Sequence, residues 1–164
     1  GIEQFTAQGL DEVEFMLSAN PGEPLKPLAK VASGGEASRI MLALKNIAAR
    51  LDGIDCLIFD EVDTGISGRM AQVVAEKMAA IARTRQVICV THLAQLASMA
   101  DVHYLIEKQV KGDATQTMVQ RLTPTQRTQE VARLLGGEGQ SGHGLLHAEE
   151  MIAAADAYKK SLAL

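Results

Sequence analysis

The string Cys56-Leu57-Ile58-Phe59-Asp60-Glu61 sets two carboxylates directly after four apolar residues. A short unbroken apolar run suits a strand buried on both faces. In open α/β sheets the carboxyl ends of such strands border the ligand crevice. Adjacent residues on an extended backbone point in different directions, so Asp60 and Glu61 can hold separate jobs. One acid can hold Mg²⁺, directly or through water. The other can orient or deprotonate an attacking water. Two solvated acids at a strand end account for the same string without any chemistry. A calcium loop starting at Asp60 is excluded, because Val62 and Ala71 stand at its third and twelfth positions. Gly65-Ile66-Ser67-Gly68 fails as a nucleophile elbow, because Arg69 stands where the second glycine belongs.

Ser33-Gly34-Gly35-Glu36 precedes a helical pattern. Ser33 as N-cap and Glu36 reaching back form a capping box. That leaves the glycines unexplained, since each costs about 1 kcal/mol against alanine inside a helix. Bare backbone at a helix start allows close approach by an anion, which the helix dipole favours. Both readings stand on these residues alone. No Gly-Lys dipeptide occurs anywhere, so the chain has no phosphate loop of the G-x-x-x-x-G-K-[ST] type. Val90-Thr91-His92 ends another apolar run, where a histidine can meet a phosphate oxygen or hold a water, or serve only a structural hydrogen bond. His143 and His147 share one helix face at i, i+4, but no cysteine or third histidine accompanies them to make a zinc site.

The elements that must position these groups follow from periodicity. Residues 13–18 read as a strand, broken by Asn20-Pro21-Gly22-Glu23-Pro24 and Pro27. A helix over 36–51 carries Ile40, Ala43, Leu44, Ile47, Ala48 and Leu51 on its apolar face and closes at Asp52-Gly53. A helix over 69–84 buries Met70, Val73, Val74, Met78 and Ile81, with Lys77 on the same face. Strands are expected at 56–59, 86–90 and 102–106, and a short helix at 93–99. Residues 102–109 and 114–122 can form an antiparallel hairpin around Lys111-Gly112-Asp113. Helices from Pro124 to Leu135, ended by Gly136-Gly137, and over 142–162 complete the chain. Helices alternating with strands predict an α/β fold with a mostly parallel sheet flanked by helices.

The 164 residues suffice for one domain with a real core. With 47% hydrophobic but only 3% aromatic residues and no Trp, that core must be aliphatic. A net charge of −4 does not advertise a nucleic-acid surface. Arg83, Arg85, Arg121, Arg127 and Arg133 are scattered, as surface arginines ordinarily are. Cys56 and Cys89 lie in apolar runs and are expected to be buried, reduced thiols of an intracellular protein. No apolar run is long enough to span a membrane and no signal-peptide pattern opens the chain. The start without Met suggests an excised piece of a longer protein.

The three strings in this order and spacing are far rarer than any one of them. Together they resemble the ABC-type ATPases. SGGEASR is similar to the signature motif, CLIFDE to Walker B, TGISG to the D-loop and VTH to the switch-histidine loop. NPGEPLKPLAKVASGGEASRIMLALK, LIFDEVDTGISG, VTHLAQLA and EVARLLGG further resemble the SMC-related ATPases of bacterial DNA repair, densely from about Val13 to Gly137. The resemblance implies that residues 1–164 are the C-terminal part of an ABC ATPase head. The Walker A half and a long coiled coil would lie elsewhere in the polypeptide. It implies ATP hydrolysis with Mg²⁺ in a head–head dimer serving DNA double-strand break repair and recombination, with this chain alone inactive.

By the same resemblance, Ser33, Gly34, Gly35 and Glu36 meet the nucleotide of the partner head. Asp60 organises Mg²⁺ through water, and Glu61 polarises the attacking water. Asp63 to Gly68 form the D-loop, with Asp63 and Gly65 near the nucleotide across the interface. His92 contacts the γ-phosphate and the water. The implied partners are the chain's own N-terminal head lobe, a second copy, and DNA through the complete protein, with no membrane. The implied location is cytoplasmic and nucleoid-associated. A sheet lacking the strands of the other lobe is expected to expose apolar surface. Another ABC or SMC head, or a non-catalytic dimerisation module, would share these strings, although PGEPLKPL argues against a transporter subunit.

Overall fold

The computed structural model describes residues 9–11, 13–18, 21–31, 34–48, 53–111, 114–136 and 142–162. Asn20, Ser33, Leu51, Asp52, Gly112, Asp113 and Gly137, which carry expectations above, lie outside the described residues. The chain divides into two compact units, Gly1–Ser33 and Gly34–Leu164.

In the first unit, strand β1 (Met16–Leu17) pairs antiparallel with β2 (Lys26–Pro27), and helix α1 (Leu28–Val31) follows. Gly22 takes φ +89° in the turn between the strands, a conformation glycine adopts without steric cost. The strand expected over 13–18 shrinks to two residues. Pro24 and Pro27 have no N–H to donate, so the partner segment cannot extend the ladder. The Leu28 amide instead donates to the Phe15 carbonyl at 2.8 Å.

The second unit runs α2 (Gly34–Ala48), β3 (Cys56–Phe59), α3 (Gly68–Ala82), β4 (Gln86–Cys89), α4 (Ala94–Met99), β5 (Tyr104–Lys111), β6 (Ala114–Arg121), α5 (Pro124–Leu134) and α6 (Gly142–Ser161). β3 and β4 pair in parallel, Cys56 opposite Gln86 through Phe59 opposite Cys89, with α3 as the crossover. The Gln86 and Val90 amides extend this ladder to the carbonyls of Asp55 and Phe59. β5 and β6 form an antiparallel hairpin from Tyr104↔Arg121 to Lys111↔Ala114. Among the described residues the parallel pairing is therefore confined to β3–β4. The third expected strand joins the hairpin, as suits the polar, two-sided sequence Glu107-Lys108-Gln109.

The core corrects three expectations about faces. α3 is buried through Ala71, Val74, Ala75, Met78, Ala79 and Ile81, packed with Leu42, Phe59, Val62, Leu96 and Met99, while Met70 and Val73 face outward. Alanine's small side chain lets neighbouring elements approach, so the contact face follows the alanines rather than the bulkiest apolar residues. α2 buries Gly35 and Leu42, and its expected face is open, with Ile47 83% exposed. β3 and β4 are buried on one face only. Leu57, Phe59, Val87 and Cys89 turn inward, while Ile58 and Ile88 are 71% and 45% exposed. Cys56 lies on that open face, so only Cys89 approaches the buried, reduced thiol expected of both.

A second cluster joins α4, α5 and α6 through Ala94, Ala97, Val131, Ala132 and Ala148. α5 starts with a capping box: Thr123 Oγ1 accepts from the Gln126 amide and the Gln126 side chain accepts from the Thr123 amide, with Pro124 in the first turn. Among the described residues no helix is long and apolar enough to cross a membrane.

Candidate functional site

Three pieces of the second unit build one corner: the start of α2, the turn after β3, and the segment after β4. Gly34 is the first residue of α2 and Gly35 the second. A Cβ on Gly35 would lie 2.9 Å from the Glu61 carbonyl oxygen and 3.0 Å from both Cβ and O of Thr64. The helix start therefore rests directly on the turn backbone, and Gly35 is bare because another main chain occupies its side. A Cβ on Gly34 would meet only the Glu61 side chain, at Oε2. The Glu61 carboxylate thus stands over the first residue of α2, the end of a helix that favours negative charge.

Two α2 side chains hold the turn from the next helical turn. Ser38 Oγ donates to the Asp60 carbonyl at 3.0 Å. Arg39 Nη1 donates to the carbonyls of Val62 at 3.2 Å and Thr64 at 2.8 Å. Inside the turn, the Glu61 amide donates to Asp60 Oδ1 at 2.9 Å and the Thr64 amide to the Glu61 carbonyl at 3.0 Å. Glu61 has φ +58°. For a residue with a Cβ this left-handed conformation costs about 1–2 kcal/mol, so it persists only where its surroundings impose it. Gly35, Ser38 and Arg39 are those surroundings. Gly65, also at positive φ, has open space where a Cβ would point.

Asp63 is 3% exposed. Its Oδ2 accepts from Thr91 Oγ1 at 2.6 Å and from the His92 amide at 2.9 Å, and lies 3.1 Å from His92 Nδ1. Thr91 Oγ1 in turn accepts from the Leu93 amide at 3.0 Å. The His92 side chain is 72% exposed, so its inner nitrogen meets Asp63 while the ring reaches solvent. The nearby Cys89 thiol is pushed up to about 12, chiefly by burial and further by the charges of Asp63 and Asp60.

Gly34, Gly35, Asp60, Glu61 and Gly65 thus lie at the start of α2 and the turn it holds, and His92 is tied to that turn through Asp63. Asp63 itself is enclosed and bonded within its own chain. Glu36 is half-buried in the first turn of α2, and Ser33 lies outside the described residues. Ser38, Arg39 and Thr91 escaped the sequence reading. The one available signal was their type, polar side chains directly beside the motif residues.

Mg²⁺ takes one or two carboxylates and completes its shell with water and phosphate oxygens. Asp60, exposed and oriented by its own turn, meets that demand. Among the described residues no group of three His, Cys, Asp or Glu side chains gathers to form a protein-only metal cage, and His143 and His147 are exposed on α6 without a third ligand.

No family model matches the chain. Its relatives are DNA repair proteins. The chain is 49% identical over 146 residues to "DNA repair protein RecN" of Treponema pallidum, covering 89% of the chain and 26% of the relative. It is 49% identical over 159 residues to RecN of Halalkalibacterium halodurans, covering 97% and 28%. It is 47% identical over 156 residues to RecN of Bacillus subtilis, covering 95% and 27%. The chain belongs to the RecN family and spans about a quarter of the length of the curated relatives it matches.

Proposed function

We propose that this segment is the C-terminal, signature-bearing lobe of an SMC-like ATP-hydrolysing head, acting in double-strand break repair and recombination. The observation that carries the reading is the single corner shared by the α2 start, the Asp60–Glu61 turn and, through Asp63, His92. In it, Asp60 would hold Mg²⁺ through water, which would supply positive charge beside the phosphates. Glu61, on a backbone clamped by α2, turns its carboxylate to the attacking water and takes its proton. His92 presents its outer ring nitrogen to the γ-phosphate side of that water. Gly34 leaves the helix start open to phosphate oxygens carried by a second head, once the Glu61 carboxylate swings aside, while Gly35 seats the turn against the helix.

The phosphate loop belongs to an N-terminal lobe of the same polypeptide. The open apolar faces bearing Ile58, Ile88, Leu44 and Ile47 support a partner of that kind. DNA is the load of the complete protein, inside the cell and away from membranes. The test is ATP turnover by this chain alone, by the chain mixed with the N-terminal lobe, and by the complete protein carrying Glu61→Gln. Silence alone, Mg²⁺-dependent turnover on mixing, and a fall of about 10²–10⁴-fold in the variant are expected. Turnover surviving Glu61→Gln would remove Glu61 from the chemistry.

A further inference from the structure

The resemblance puts Asp63 at a nucleotide across a dimer interface; within this chain its carboxylate faces Thr91 and His92. We propose that Asp63 is a positioning residue that locks the imidazole of His92 in the Nδ1–H tautomer, leaving Nε2 as the free, acceptor nitrogen toward solvent. The catalytic meaning of this placement rests on the reading of His92 above, while the placement itself does not.

A neutral imidazole has one donor and one acceptor nitrogen, and the partner of one fixes the role of the other. An ionised carboxylate only accepts hydrogen bonds. Asp63 Oδ2 lies 3.1 Å from Nδ1, so a proton on that nitrogen meets the carboxylate charge where a lone pair would be repelled by it. The carboxylate cannot turn away to relieve the contact. The same oxygen accepts from Thr91 Oγ1 at 2.6 Å and from the His92 amide at 2.9 Å, and the side chain is enclosed. The His92 main chain is thus bonded to the same oxygen that its ring nitrogen faces. The ring is mostly exposed, which leaves Nε2 available as the group that would orient a water or accept its proton. Thr91 serves the arrangement from the other side, since its hydroxyl donates to Asp63 and accepts from the Leu93 amide.

The test reads the tautomer directly, by long-range ¹H–¹⁵N correlation of the histidine side chains of this chain at a pH where the ring is neutral. His92→Gln identifies the signal. The expected wild-type result is His92 in the Nδ1–H form, against the Nε2–H form that free histidine prefers. Asp63→Ala removes the acceptor beside Nδ1 and is expected to release His92 to the Nε2–H form. A wild-type His92 in the Nε2–H form overturns the proposal, and this outcome needs no variant to fold. In the complete protein, Asp63→Ala is expected to lower kcat for ATP roughly 10²-fold with KM little changed, the scale of a misoriented reacting group. A changed tautomer with unchanged kcat would overturn the positioning role. The Glu61→Gln assay decides the ATPase reading separately.

Discussion

Adjacent glycines at the start of α2 should respond to alanine in opposite directions. At Gly35 the added methyl would lie 2.9 Å from the Glu61 carbonyl oxygen and 3.0 Å from two atoms of Thr64. The carbonyl oxygens belong to main chain that Ser38 and Arg39 hold from the same helix, so they cannot retreat without breaking those bonds. Overpacking of this kind costs about 1–3 kcal/mol. The gain in helix propensity on replacing glycine is at most about 1 kcal/mol and smaller in the first turn. Gly35→Ala should therefore destabilise the chain by about 1–2 kcal/mol. At Gly34 the methyl would meet only the end of the flexible, exposed Glu61 side chain, which can rotate aside. Gly34→Ala should be neutral or stabilising by up to about 1 kcal/mol. Urea unfolding of the two variants, followed by circular dichroism at several concentrations, measures the difference. Equal losses in both variants, or a Gly35→Ala chain as stable as wild type, would refute the close main-chain approach.

Two further outcomes test the same corner. Arg39→Ala removes both guanidinium bonds to the turn and should cost about 1–3 kcal/mol. It should also speed cleavage after Glu61 by a glutamate-specific protease, and unchanged cleavage would mean that the turn holds itself. Cys89, with its thiol at about 12 against an ordinary 9.0, should hold roughly 10⁻⁴ thiolate at pH 8 and resist alkylation while exposed Cys56 reacts. Because the folded value is the higher one, the stability that Cys89 contributes is intact below pH 9 and lost as pH rises from 9 toward about 12. Cys89→Ala should flatten that alkaline decline in the urea midpoint.

The βαβ unit and the hairpin were legible in the sequence because their signals are local. CLIF and QVICV lie between polar residues, and the expected helices recur at helical spacing. The buried faces were less legible. An apolar run reads the same whether one or both sides are covered, so Ile58 and Ile88 looked as buried as Phe59. Burial of α3 through alanines was masked by larger neighbours such as Met70 and Val73. At the site, the types and order of Asp60, Glu61 and His92 were visible. The reason for Gly35 was not, because it depends on where a turn from a distant part of the chain comes to rest. The intrachain partners of Asp63 were hidden for a similar reason. Its carboxylate finds its partners at Thr91 and His92, one crossover away, and no local pattern around DEVD encodes that.

The clamp between α2 and the turn after β3 also bears on how this sequence can drift. Gly35, Ser38, Arg39 and Glu61 form a closed loop of dependence: the bare side of the helix admits the main chain, the two side chains grip it, and the grip sustains the left-handed backbone of Glu61. A replacement at any one of them alters what the others must do. An arginine there has no use without the carbonyls it reaches, and the carbonyls are within reach only while position 35 stays bare. Such positions should change together across related chains or not at all, leaving lineages that alter one to compensate within the same few residues.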